Sequence, residues 1–322
     1  MDNLQVATVQ FENRNGDKDY NLSRIRDLAL LAKLQGAKVV SFNECCISGY
    51  TFARDLSREK LLEVAEFVPE GQSVNRLKEI ARETDMVILA GLYEKDQEGN
   101  IYNTYICVDG DSVIAKYRKL HVFISPHLSP GSEFVTFDLF GWKCSILICY
   151  DNNVIENVRA VTLLGTQILF APHVTMCTPS PMPGRGFVDP VLWENRKTNP
   201  VPLRLEFEGP KGRSWLMRWL PARAYDNGIY IVFSNPIGMD YDQLKNGCSM
   251  ILDPYGDILN ECRSMDDEVV TATLTKDKLS KSGGFRYRNA RRPEIYGDIL
   301  SQPNKLSQVK LKAVWMNSER DK

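Results

Sequence analysis

WKCSILICYDNNVIENVR, residues 142–159, decides the fold. Its first eight residues read as a buried strand ending at Cys149, and the stretch from about Ile155 to Leu164 reads as a helix, so a thiol stands at a strand-to-helix joint. Two other stretches have the same form: KVVSFNE, 38–44, ends at Glu44, and SVIAKYRK, 112–119, ends at Lys119. In an open α/β sheet, ligand crevices form at the carboxyl ends of strands, so a base, a cation and a thiol at three such ends can converge in one pocket.

Working outward, strand and helix patterns alternate. LQVATVQF reads as a strand, LSRIRDLALLAKLQ as an amphipathic helix, SVNRLKEIARETD as a second helix, and MVILAGLYEKD with IYNTYICVDG as a hairpin across DQEGN. ILFAPHV, 168–174, is a further strand, with His173 and Val174 at its end as candidate substrate-binding residues. There is no internal repeat, and helices between strands imply an α/β protein.

The three reactive types belong together chemically. A thiol is a strong nucleophile only when a base or a positive charge favours its thiolate, and Glu44 is the candidate base. When sulfur attacks a carbonyl or nitrile carbon, charge grows on the oxygen or nitrogen, where the Lys119 ammonium and the Tyr150 N–H would stabilise it. Glu44 could then protonate the leaving amine and activate water against the thioester. The helix after Cys149 is expected to favour the thiolate through its amino-terminal partial charge. No metal or organic cofactor is needed. The bland alternative for Cys149 is a core cysteine at a strand end.

With those residues in hand, the chain resembles the nitrilase or carbon-nitrogen hydrolase superfamily, from roughly Leu4 to Asp298. The motifs are SFNECCISGY, where Asn43 replaces a usual proline, KYRKLH at 116–121, ILICYDNNVIENVR at 146–159, LPARAYDNGIYIVFSNPIG at 220–238 and CSMILDPYGDIL at 248–259. The resemblance implies a four-layer α-β-β-α sandwich, a Glu44, Lys119, Cys149 triad and assembly as a homodimer or larger homo-oligomer. Members commonly carry a second glutamate between the lysine and a later Pro-Gly. Here HVFISPHLSPG contains none, and His127 is the candidate replacement, against the reading of a solvated loop histidine.

Tyr150-Asp151 after the cysteine looks like the amidase and N-carbamoyl hydrolase branches. Asn152 and Asn153 stand where arginines would hold a carbamoyl amino acid's carboxylate, and both are candidate substrate-binding residues. The reading is an amidase acting on a small amide through a Cys149 thioester. A nitrilase or an N-carbamoyl amino acid or amine hydrolase is the first alternative, and a catalytically silent binding or assembly protein the second.

A chain of 322 residues, 43 % hydrophobic and 25 % charged, can bury a large core, and the motifs favour one domain over 1–300 with a tail at 301–322. A formal net charge of −1 without a basic run gives no footprint for nucleic acid or an anionic membrane. MDNLQVATVQF enters a strand pattern directly, so the cytosol is the expected compartment.

Eight cysteines show no paired metal spacing, and Cys107, Cys144 and Cys248 read as core residues, while Cys45 or Cys46 is a rival nucleophile. Residues 175–214 read as a long structureless insertion on the substrate side. Its arginines 185, 196, 204 and 213 are candidate carboxylate clamps, and Val174, Met176, Phe187 and Trp193 a candidate apolar wall.

Overall fold

Among residues 3–122, 124–178 and 186–302, which the computed structural model describes, strands pair in two six-stranded sheets. The first sheet sets β1 (Asn3–Gln10), β2 (Val39–Ser41), β3 (Val87–Lys95), β4 (Ile101–Val108) and β5 (Val113–Arg118) side by side, and β14 (Glu268–Thr275) pairs with the other edge of β1. The second runs β6 (Thr136–Leu139), β7 (Trp142–Ile146), β8 (Ile168–Pro172), β9 (Tyr230–Ser234), β12 (Met250–Leu252) and β13 (Ile258–Glu261). A separate hairpin joins β10 (Ile237–Asp240) to β11 (Gln243–Asn246).

The sheets face each other because side chains alternate along each strand. On the first sheet Val6, Val39, Leu89, Tyr105, Cys107 and Tyr117 enter a shared core with Cys144, Ile146, Phe170 and Val232 of the second. Their neighbours Ala7, Val40, Ile88, Ala90 and Ile106 face the other way, onto the apolar sides of α1 (Lys18–Leu34) and α3 (Gln72–Thr84). Both faces of these strands are therefore dry. Thr8 donates from its hydroxyl to the Phe233 carbonyl at 2.8 Å, and Ser234 donates to the Ser41 carbonyl at 3.1 Å, tying the sheets together at one end. Helices cover the outer faces, which completes the four-layer α-β-β-α sandwich.

The pairings β1 with β2, β2 with β3, β7 with β8 and β8 with β9 are parallel. A parallel pair needs a crossover, and α1, α3 and α4 (Ile155–Leu163) supply three of them. Loops leaving β2 and β7 consequently emerge from carboxyl ends, which is where Glu44 and Cys149 lie.

The remaining helices are α2 (Arg58–Val64), α5 (Pro190–Glu194), α6 (Pro200–Glu208), α7 (Arg213–Leu216), α8 (Leu220–Asn227), α9 (Asp277–Lys281), α10 (Gly283–Asn289) and α11 (Pro293–Ser301). Helices α5, α6 and α7 correct the expectation of a structureless insertion. Pro190 and Pro200 sit in the first turns of α5 and α6, where a proline has no hydrogen bond to lose and its fixed φ suits a helix start. Trp193, Leu203, Phe207 and Leu216 are buried and anchor this segment in the main core. Position 185 lies outside the described residues.

Candidate active site

Glu44, Lys119 and Cys149 meet where the carboxyl ends of β2, β5 and β7 approach one another. Lys119 shares the inward parity of Tyr117 on β5, whereas Lys116 and Arg118 face outward and grip the buried carboxylate of Glu94 at 2.7 Å each. The Lys119 ammonium lies 2.6 Å from Glu44 Oε1, with both side chains essentially out of contact with solvent. Asn103 of β4 donates to the same oxygen at 2.6 Å, and the Val174 N–H donates to Oε2 at 3.0 Å. The Cys149 thiol faces the Glu44 carboxylate, the Lys119 ammonium and the Val174 N–H.

Charge and burial set the resting protonation of this group. Burial pushes the Cys149 thiol up to about 12, the Glu44 charge pushes the same way, and Lys119 with the Val174 N–H only partly offsets them. The thiol is therefore protonated at neutral pH, contrary to a cysteine activated by a helix terminus. Burial, the largest single influence, pulls the Lys119 ammonium down, but the Glu44 carboxylate together with Tyr50, Cys149 and Asp151 outweighs it, and the lysine ends well above its ordinary range. It stays an ammonium, 5.4 Å from the Tyr50 ring centre.

The turn carrying Cys149 differs from the expected strand-to-α-helix joint. Strand β7 stops at Ile146, residues Cys149–Asn152 form a single 3-10 turn, and α4 begins only at Ile155, so no α-helix dipole ends at the sulfur. Cys149 has φ of +50°, a left-handed conformation that costs a non-glycine residue about 1 kcal/mol or more and persists only where the surroundings impose it.

Asp151 braces this turn from within. Its buried carboxylate accepts from Tyr117 Oη at 2.9 Å, from the Leu120 and Ile148 N–H groups at 3.3 Å each, and from the His121 N–H at 3.0 Å, with the His121 ring Nδ1 at 2.8 Å. One carboxylate thus clasps the end of the Lys119 strand to the start of the Cys149 turn.

Other expected site residues divide. Val174 reaches the site through its N–H, and its side chain packs with Tyr50, Ile124 and Leu128 as an apolar wall. Met176 and Trp193 belong to the main core, while Phe187 is exposed and outside that wall. Asn152 is buried, but its amide serves the fold, donating to the Leu147 carbonyl at 2.7 Å and lying 3.2 Å from His173 Nε2. His173 packs between Trp219 and Phe233, with ring centres 5.6 and 4.8 Å away. Asn153 meets Arg223 through its carbonyl. Tyr150 is half-buried beside the His121 ring.

His127 stands apart from the triad. Its ring makes no hydrogen bond among the described residues, and the charge it influences is Glu59 on α2. The candidate clamps are also engaged elsewhere: Arg213 grips Glu261 at 2.6 Å, Arg196 covers the Trp193 ring, and Arg204 donates to the Arg263 carbonyl.

Asn103 and Asp151 escaped the reading of the sequence. Strand parity offered a signal for the first, since Asn103 shares the inward face of Tyr105 and Cys107.

The family model described as carbon-nitrogen hydrolase matches residues 5–281. A nitrilase from Pyrococcus abyssi is 28% identical over 84% of this chain and 89% of its own, and an (R)-stereoselective amidase from Pseudomonas sp. is 28% identical over 94% and 96%. Among solved structures, a variant of the amidase from Nesterenkonia sp. AN1 superposes with a TM-score of 0.69 at 22% identity, covering 92% of this chain and 97% of that one. The chain belongs to the carbon-nitrogen hydrolase family, and its two-sheet sandwich is that of the nitrilase superfamily.

Proposed function

We propose that this enzyme is an amidase that cleaves a small linear amide through a thioester on Cys149. The observation that carries the reading is the solvent-excluded ion pair of Glu44 and Lys119, 2.6 Å long, with the Cys149 thiol facing the same carboxylate. A thiol held protonated must lose its proton during attack, and the adjacent carboxylate is the base placed to take it. As sulfur bonds to the amide carbon, the carbonyl electron pair moves to oxygen, where the Lys119 ammonium and the Tyr150 N–H stabilise it. The proton then passes from Glu44 to the departing nitrogen, and ammonia or an amine leaves. Glu44 next takes a proton from water, which attacks the thioester and frees the acid and the thiol.

An amide is favoured over a carbamoyl amino acid because, by the resemblance, Asn152 and Asn153 stand where arginines would hold the carboxylate, and the Asn152 NH2 donates to the Leu147 and Cys149 carbonyls of the turn. A nitrile substrate is the second reading, supported by the likeness to the Pyrococcus nitrilase. Ammonia release from a panel of aliphatic amides, nitriles and carbamoyl amino acids separates them, and turnover of none by the purified enzyme refutes the proposal in favour of a silent binding or assembly protein.

We also propose a homodimer or larger homo-oligomer. Helices α4, α8, α10 and α11 leave Ile155, Leu163, Tyr225, Tyr287 and Ile295 exposed, an apolar set suited to a second copy. The cytosol is the proposed compartment: all eight cysteines are free, and no described helix is long and apolar enough to cross a membrane.

A further inference from the structure

A carboxylate has about four lone-pair sites, two on each oxygen, and at Glu44 three are filled by protein donors. Oε1 receives the Lys119 ammonium and the Asn103 amide, both at 2.6 Å, and Oε2 receives the Val174 N–H at 3.0 Å. One lone pair is left, on Oε2, and the Cys149 thiol is the acidic group facing the carboxylate.

From this we infer that Asn103 is a positioning residue that selects the base: with Lys119 it saturates Oε1, so that Oε2 alone takes the proton of Cys149. The inference rests on the amidase reading for its substrate and on the geometry for the choice of oxygen.

Asn103 is itself held on three sides. It is buried on β4, its carbonyl accepts the Lys119 N–H at 2.9 Å, and its side-chain oxygen accepts from Cys45 Sγ at 3.5 Å. The backbone contact fixes the lysine's strand end, and the side-chain contact orients the amide so that its NH2 points at Glu44. The same residue therefore sets both the charge partner and the rotation of the carboxylate.

In the chemical step the S–H bond breaks and its proton forms an O–H bond with Oε2. The sulfur electron pair forms the S–C bond, and the carbonyl π pair moves to oxygen beside Lys119. Without the Asn103 amide, Oε1 would hold an open lone pair competing for the proton, and the carboxylate could rotate away from the thiol. Losing a donor to the ionised form also makes a carboxylate easier to protonate.

The test uses the full chain with propionamide as substrate and iodoacetamide as a substrate-independent probe, alkylation of Cys149 being followed by peptide mass spectrometry. Asn103→Leu, close in volume and without a donor, is expected to lower kcat about 100-fold, the scale of a small misplacement of a reacting group. KM should change less than about threefold, since no uniform binding contact is lost. The acidic limb of kcat/KM should move to higher pH, and Cys149 alkylation should slow in parallel.

Asn103→Asp is the rescue variant. It offers a donor to Glu44 only when the pair of carboxyl groups shares a proton, so its relative activity should rise as pH falls, opposite to Asn103→Leu. Thermal melting checks that both variants fold, and Asn103→Ala, which also lacks a donor, replaces Asn103→Leu if that variant does not.

Unchanged kcat, pH profile and alkylation in Asn103→Leu would overturn the inference, as would parallel pH profiles for the two variants. If wild type hydrolyses no amide while Cys149 alkylation still depends on Asn103, the amidase reading fails and the assignment of Oε2 stands.

Discussion

Replacing Asp151 by asparagine keeps the shape of a fully buried side chain and removes one acceptor oxygen. If the amide oxygen takes the place of Oδ2, it keeps Tyr117 Oη and the Leu120 and Ile148 N–H groups, and the new NH2 then points at the His121 N–H now 3.0 Å from Oδ1. Two donors face each other, and a part-buried backbone N–H loses its acceptor at about 1 to 3 kcal/mol. The three retained bonds lose their charge assistance, which roughly halves their strength and adds about 1 kcal/mol.

A total near 3 kcal/mol lowers Tm by about 5 °C in a chain of this size. Because the same carboxylate joins the Lys119 strand end to the Cys149 turn, kcat should fall at least about tenfold, a part of the 10²-fold that a 1 Å misplacement can cost. Calorimetric melting and steady-state ammonia release measure the two quantities on one sample. An Asp151→Asn variant melting within about 1 °C of wild type with unchanged kcat would refute the role of clasp.

Two further outcomes follow from residues away from the thiol. His127→Ala should leave kcat and KM within about twofold, because its ring makes no hydrogen bond among the described residues and a half-exposed surface side chain contributes little; a large fall in kcat would return His127 to the site. At Glu94, burial raises the carboxyl, but hydrogen bonds from Arg118, Lys116 and Thr104 outweigh it and hold it below the usual range. A depressed carboxyl contributes stability above its unfolded value that is lost as pH falls through its folded value. Glu94→Gln should thus be less stable than wild type at neutral pH and lose less stability between about pH 5 and pH 3. Parallel acid-unfolding curves for the two proteins would contradict this.

The meeting of Glu44, Lys119 and Cys149 was legible because Glu44 and Cys149 follow buried strands and Lys119 comes directly after the half-buried strand β5, and a reactive side chain at a strand's carboxyl end has few structural reasons to be there. What lay beyond reach depends on pairing across the sandwich. IYNTYICV reads as an alternating hairpin strand, in which parity puts Asn103 on the face of Tyr105 and Cys107, but that all eight residues are buried emerges only when β3 and β5 flank them and helices cover the other face. Asp151 was visible only as part of a motif, since most of its donors come from the distant segment Tyr117 to His121.

The 3-10 turn at Cys149–Asn152, with Cys149 at positive φ, replaces the smooth strand-to-helix joint that the apolar run suggested. Residues 175–214 read as structureless, yet Pro190 and Pro200 begin helices there. For the substrate side, the resemblance implies that Asn152 and Asn153 stand where arginines would be, but only the contacts show that the Asn152 NH2 is engaged by the turn.

The most direct measurement is peptide mass spectrometry of enzyme acid-quenched during amide turnover. An acyl mass increment on the peptide carrying Cys149, absent together with turnover in a folded Cys149→Ala variant, is the expected result. Sustained amide hydrolysis by Cys149→Ala, or an acyl group found on Cys45 or Cys46, would show that the nucleophile has been assigned to the wrong sulfur.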